Sequence, residues 1–237
     1  MGHFGTMKTD LTLLEAFSLL AIDQARSGRL HSDAYLHTLG GLIAAELYLL
    51  DRFRMTGSLI KKAELIDDSD TGNAVLNEAI AIQKQERGAP SVGRIIQAFG
   101  RHKPCCRGGA ESLVDRGILS ATPIKVFWFF QATSYSIVDT ALLQELKSEL
   151  ERAILVDAGQ VSPKLGTFLL FLSQTDLLPD LFEKTFLKAN KSRLKALGKA
   201  QAFANEALAK DMLNIRGAMN RVAAKDGGGD GGGDGGD

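Results

Sequence analysis

Few side chains in this 237-residue chain could do chemistry, and those few are poorly placed to cooperate. Asp70-Thr71-Gly72 is the tripeptide of the aspartic proteases, a chemistry that needs two such aspartates in loops sharing one proton. It occurs once here, ahead of a helical pattern, where Asp70 or Thr71 would act as a helix cap. The two cysteines, Cys105 and Cys106, are adjacent, and His102 is the one histidine near them, so no zinc-ligand spacing exists. His3, His31, His37 and His102 are scattered, and the paired acids Asp67-Asp68 sit in a polar connection. There is no P-loop, no GxGxxG after a strand, no HExxH and no GxSxG. These residues predict a non-enzyme that needs neither metal nor cofactor.

Charge offers a different chemistry. Formal net charge is zero, which gives no global pull toward nucleic acid or an anionic surface. The distribution is uneven, however. From Lys184 to Lys225 ten Lys and Arg face only Glu206 and Asp211, a segment that could meet acidic phospholipid or phosphate, or simply form a solvated helix face. The cysteine usage shows no disulfide framework and fits a reducing compartment. No apolar run is long enough to span a bilayer, and the N-terminal residues lack the pattern of a secretory signal. Met1-Gly2-His3-Phe4-Gly5-Thr6 fits a loose myristoylation pattern, with a flexible terminus over residues 1–8 as the plainer reading.

The elements that would carry these charges are mainly helical. Thr12 and Glu15 have capping-box spacing before the apolar face Leu13, Leu14, Phe17, Leu20 and Ala21. Ala34 to Phe53 is apolar almost all round, and Gly40-Gly41 within it implies a close helix neighbour or ligand. Phe53 to Ile66 reads as a hairpin or extended connection around Thr56-Gly57, and Asn73 to Glu86 as a helix. Val92 to Phe99 is a short helix, followed by a basic, cysteine-bearing connection from Gly100 to Gly109. Ala110 to Gly117 is a short helix closed by a glycine, and Ile118 to Phe130 then reads strand, turn, strand. Further helices fill Asp139 to Asp157, Ser162 onward, and Leu181 to Arg221, the last as one or two. The Gly/Asp tail over residues 225–237 cannot bury anything and is expected to be disordered. The sum is a mainly α, single-domain multi-helix bundle over residues 9–224, of seven or eight helices with one or two small β-hairpins.

In the second hairpin, alternation puts Val126, Trp128 and Phe130 on one face and Phe127 and Phe129 on the other. Both faces packing within one monomer is one outcome. A sister hairpin covering Phe127, Trp128 and Phe129, and hence a homo-oligomer, is the other. The helix–hairpin unit also has the outline of a winged helix. Glu111 and Asp115 on its helix and the aromatic wing oppose DNA binding, so no nucleic acid is expected.

Read together, several stretches resemble the Golgi phosphoprotein 3 family. They are Leu11-Thr12-Leu13-Leu14-Glu15, then Gly40-Gly41-Leu42-Ile43-Ala44-Ala45-Glu46-Leu47, and Asp70-Thr71-Gly72-Asn73 with Leu76-Asn77-Glu78-Ala79. Leu113-Val114-Asp115-Arg116-Gly117-Ile118-Leu119 with the aromatic hairpin, and Leu169 to Phe182, complete the order. The resemblance implies a peripheral membrane adaptor that binds phosphatidylinositol 4-phosphate and holds client membrane-protein tails. It also implies a cytoplasmic location at a membrane face, the cytosolic face of the Golgi if the source is eukaryotic. The family's exposed hairpin takes part in self-association, which fits Phe127, Trp128 and Phe129. Its headgroup pocket uses a tryptophan and an arginine that fall near His31 and at Gly40, and two arginines that fall at Lys103 and Cys106. Lys103, with Arg101 and Arg107 beside it, is therefore the expected lipid-headgroup set. A soluble helical interaction protein without lipid specificity is the alternative.

Overall fold

Caps and turns set the order of the elements. The computed structural model describes residues 10–25, 32–126, 130–156, 161–200, 203 and 205–227. Thr12 and Glu15 form the reciprocal capping box, each side chain accepting from the other's amide, and α1 (Leu13–Gln24) starts there. After α2 (Ser32–Leu49), β1 (Phe53–Thr56) and β2 (Lys62–Leu65) pair antiparallel, with Phe53 opposite Leu65 and Thr56 opposite Lys62. Asn73, rather than Asp70 or Thr71, caps α3 (Ala74–Gln85) by accepting from the amides of Val75 and Leu76. Asp70 instead folds the loop ahead of it, accepting from the Gly72 amide at 2.8 Å and the Asn77 side chain at 2.6 Å.

Ser91 caps α4 (Val92–Arg101). The stretch read from sequence as a loose connection from Gly100 to Gly109 is in fact mostly α5 (Lys103–Asp115), entered through Pro104. Its polar-looking sequence hides a run of small buried residues, Cys105, Cys106, Gly108, Gly109 and Ala110, on a helix packed against α1 and α3. β3 (Leu119–Val126) and β4 (Phe130–Ile137) form the second antiparallel hairpin. Its base is fixed by buried Ile118, Leu119 and Tyr135, while Ser120, Ala121, Thr122 and Pro123 are exposed. The aromatic tip expected to mediate self-association lies outside the described residues, as do the N-terminal segment and the end of the Gly/Asp tail.

α6 (Thr140–Leu155) and α7 (Pro163–Leu172) follow. The C-terminal third holds more helices than its pattern implied: α8 (Leu177–Leu181), α9 (Lys184–Ala189), α10 (Lys191–Leu197) and α11 (Glu206–Gly227). Eleven helices and two two-stranded sheets are thus present among the described residues. The core centres on α1, α2, α4 and α7, with Phe17, Phe99, Phe168 and Phe171 fully buried. Buried Glu46 on α2 accepts from the Leu13 amide at 2.5 Å and pairs with Lys164 of α7 at 2.9 Å, tying three helices at one point.

α2 and α4 meet backbone to backbone. A Cβ on Gly40 would lie 2.2 Å from the Ile96 carbonyl oxygen, and one on Gly100 would lie 2.4 Å from the Leu36 carbonyl oxygen. Gly40→Ala should therefore lower unfolding stability by about 1–3 kcal/mol. Gly93→Ala on the free side of α4, where the nearest atom is 3.4 Å away, should be neutral or stabilising by up to about 1 kcal/mol. Denaturant titration checks both, and an undiminished Gly40→Ala midpoint would contradict the contact.

Burial also governs the cysteines. Both are free and buried, and desolvation pushes the Cys105 thiol up to about 12. At pH 8 the native protein should leave a thiol reagent unreacted until denaturant is added. The folded state keeps the thiol protonated, so its contribution to stability is intact below the ordinary thiol range. It declines as pH rises from there toward about 12. Alkaline denaturation at constant denaturant reads this slope.

Candidate anionic-ligand cleft

α11 lies across α2 and α4 and packs on them through Met212, Ile215, Ala218, Met219 and Val222. Both of its ends are tied. The Tyr48 hydroxyl donates to Asp211 near the start, and burial with that carboxylate raises the Tyr48 hydroxyl far above its ordinary range. Near the other end Asp226 accepts from Arg101 at 3.0 Å and lies 3.4 Å from Nε2 of His37.

The β1–β2 turn is anchored to the start of α4. The Ala63 amide donates to the Pro90 carbonyl at 2.8 Å, and the Val92 amide to the Lys61 carbonyl at 2.9 Å. That anchorage makes the turn one wall of a cleft of about 1040 Å³ whose other walls are α4 and α11. Lys61, Arg94, Arg101, Arg221 and Lys225 line it, and Glu86 is the one carboxylate on the lining.

The cations are engaged to different degrees. Arg94 pairs with Glu86 at 2.9 Å, and Lys61 donates to the Gly57 carbonyl at 2.8 Å. Arg101 is held by Asp226. Arg221 and Lys225 have no acidic partner among the described residues, and both are exposed. The Asn214 side-chain nitrogen is buried on α11 without a hydrogen-bond partner, and Asn214 also lines the cleft. An unpartnered donor beside free cations is chemistry that suits a multivalent anion such as a phosphate.

The three residues expected from sequence do not meet here. Arg101 lines the cleft; Lys103, at the start of α5, and Arg107 are exposed and do not. Arg107 lies beside β4. Burial, helped by Glu111, raises the Tyr135 hydroxyl, and Arg107 opposes that shift. The other positions at which the family carries pocket residues serve the fold. Gly40 is closed by the α4 backbone, and buried Cys106 donates its thiol to the Gly100 carbonyl at 2.6 Å. The His31 position lies outside the described residues.

Arg221 and Lys225 belong to the basic C-terminal segment, so their signal was legible as charge, though not their destination. In the same segment Arg193 and Arg216 instead donate to backbone carbonyls, of Ile154 and Val156 and of Gly198. Lys61 and Arg94 carried no sequence signal, because only the fold brings them opposite α11.

Among the described residues no group of His, Cys, Asp and Glu could hold a metal ion, and no helix is long and apolar enough to cross a membrane. A comparison with curated proteins gives no match. A sequence model of the family described as Golgi phosphoprotein 3 (GPP34) matches residues 13–215, from the capping box of α1 into the middle of α11. That span takes in the helix–glycine–hairpin unit and both long walls of the cleft, and the chain belongs to the Golgi phosphoprotein 3 family.

Proposed function

We propose that this chain is a non-catalytic peripheral membrane adaptor that takes an anionic phospholipid headgroup into the cleft between α4 and α11. The carrying observation is the convergence of five cations from three elements on one cleft with a single carboxylate on its lining. Family membership supports an adaptor role, and phosphatidylinositol 4-phosphate is the headgroup the family resemblance favours. A phosphate monoester needs several donors to offset its desolvation. Arg221, Lys225 and the Asn214 amide are available, and Arg101 joins them when the phosphate replaces Asp226. Lys103 and Arg107 add attraction toward the anionic surface from outside the cleft, screened beyond about 10 Å at ordinary salt. Membrane-protein client tails are the cargo such an adaptor would hold.

Vesicle co-sedimentation tests this reading. Binding should be stronger to vesicles with phosphatidylinositol 4-phosphate than to charge-matched phosphatidylserine vesicles, and should weaken with salt. The Arg101→Glu, Arg221→Glu double variant should bind at least about tenfold more weakly, each reversal being worth about 1 kcal/mol or more. Equal binding to charge-matched vesicles would remove the headgroup claim and leave a helical interaction protein without lipid specificity. Unchanged binding by the double variant would remove the cleft.

Asp226→Asn tests the displacement step with the opposite sign. Freeing Arg101 from its partner should raise vesicle affinity about threefold, roughly the worth of one exposed ion pair. A decrease would mean that Asp226 holds the site together.

A further inference from the structure

The apolar side chains most exposed among the described residues are not scattered. Leu59 is 98% exposed and Ile60 is 67% exposed, next to each other at the tip of the β1–β2 turn. The tip is not loosely held. Gly57 adopts φ +83°, a Cβ there would meet the Ile60 carbonyl oxygen at 2.5 Å, and Lys61 closes the turn onto the Gly57 carbonyl. Backbone hydrogen bonds from Ala63 and Val92 then fasten β2 to the start of α4. A rigid turn thus presents two branched aliphatic side chains to solvent, with no packing role to explain them.

Their surroundings identify the occupant. Ser58, Leu59, Ile60 and Lys61 all line the cleft, on the same wall and facing the cations of α4 and α11. Lys62 is exposed one residue further on. An apolar tip ringed by Lys61, Lys62, Arg94, Arg101, Arg221 and Lys225 matches the layering of an anionic leaflet, with acyl chains below and phosphates above. A soluble protein partner with an apolar groove would match the tip alone, not the surrounding positive charge.

We propose that Leu59 and Ile60 insert into the headgroup–acyl boundary of an anionic membrane and so orient the chain with its cleft facing the bilayer. The inference rests on the lipid-binding reading and specifies how the chain sits on the surface. Neither signal is strong alone. A short apolar tip partitions reversibly, and surface charge is screened by salt, so stable docking takes both.

The test uses the full chain with Ser58→Cys carrying an environment-sensitive nitrobenzoxadiazole label. The native cysteines are buried, which makes labelling selective. Vesicles of phosphatidylcholine with phosphatidylserine and phosphatidylinositol 4-phosphate should shift the label to the blue, and acyl-brominated lipid should quench it. A label at Leu155→Cys, exposed at the end of α6, should change little. Separately, Leu59→Ser with Ile60→Ser should lower vesicle partitioning by about tenfold or more, with Tm unchanged because both side chains are already in water.

Co-sedimentation without a spectral change at position 58 would overturn the insertion while leaving lipid binding intact. Absence of co-sedimentation would overturn both. A concentration-dependent blue shift without lipid would identify a second copy of the chain as the occupant and overturn the proposal.

Discussion

The contact on which the rest of the structure depends is the close approach of α2 and α4 at Gly40 and Gly100. Each glycine faces a carbonyl of the other helix, and either Cβ would fall inside contact distance. With no side chains between them, the two helices offer a shared surface on which α11 lies. α11 is fixed there by buried methionines and aliphatics and by polar ties at both ends. The cleft is the strip of α4 that α11 and the β1–β2 turn leave uncovered. Push α2 and α4 apart, and the wall carrying Arg221 and Lys225 moves relative to the one carrying Arg101.

Electrostatics then turn a neutral protein into a directional one. Positive and negative residues are equal in number, so long-range steering by net charge is absent. The positive side chains of α4, α11 and the β1–β2 turn nevertheless converge on one concavity, while several acids are spent in local pairs such as Asp68 with Lys84 and Glu64 with Arg54. Asp226 acts as an internal counter-ion for Arg101. The pair is exposed and solvent-screened, so exchange for a doubly charged phosphate is a small rearrangement.

Much of the fold was legible because periodicity and caps are local. The capping box at Thr12, the all-apolar α2, the hairpin around Gly57 and the helix–glycine–hairpin unit all follow from neighbouring residues. The close approach at Gly40 was readable for the same reason, since a glycine pair in a strong helix needs a partner. What escaped was the reading of small residues: Cys105 to Ala110 look like a loop until α1 and α3 are placed against them. The cleft was legible only in fragments. Its α11 cations show as a charge run, but Lys61, Arg94 and Asn214 lie far apart in sequence and are joined only by tertiary packing. Transferring the family's pocket positions residue by residue pointed at Gly40 and Cys106, which this chain uses for helix contacts instead.

The central claim, that the α4–α11 cleft with its hairpin wall is the membrane-facing site, is tested most directly by hydrogen–deuterium exchange on anionic vesicles. The account predicts slowed exchange confined to residues 57–62, 92–101 and 214–226. Protection centred instead on residues 103–111 and β4, with the cleft segments exchanging as in free protein, would contradict it.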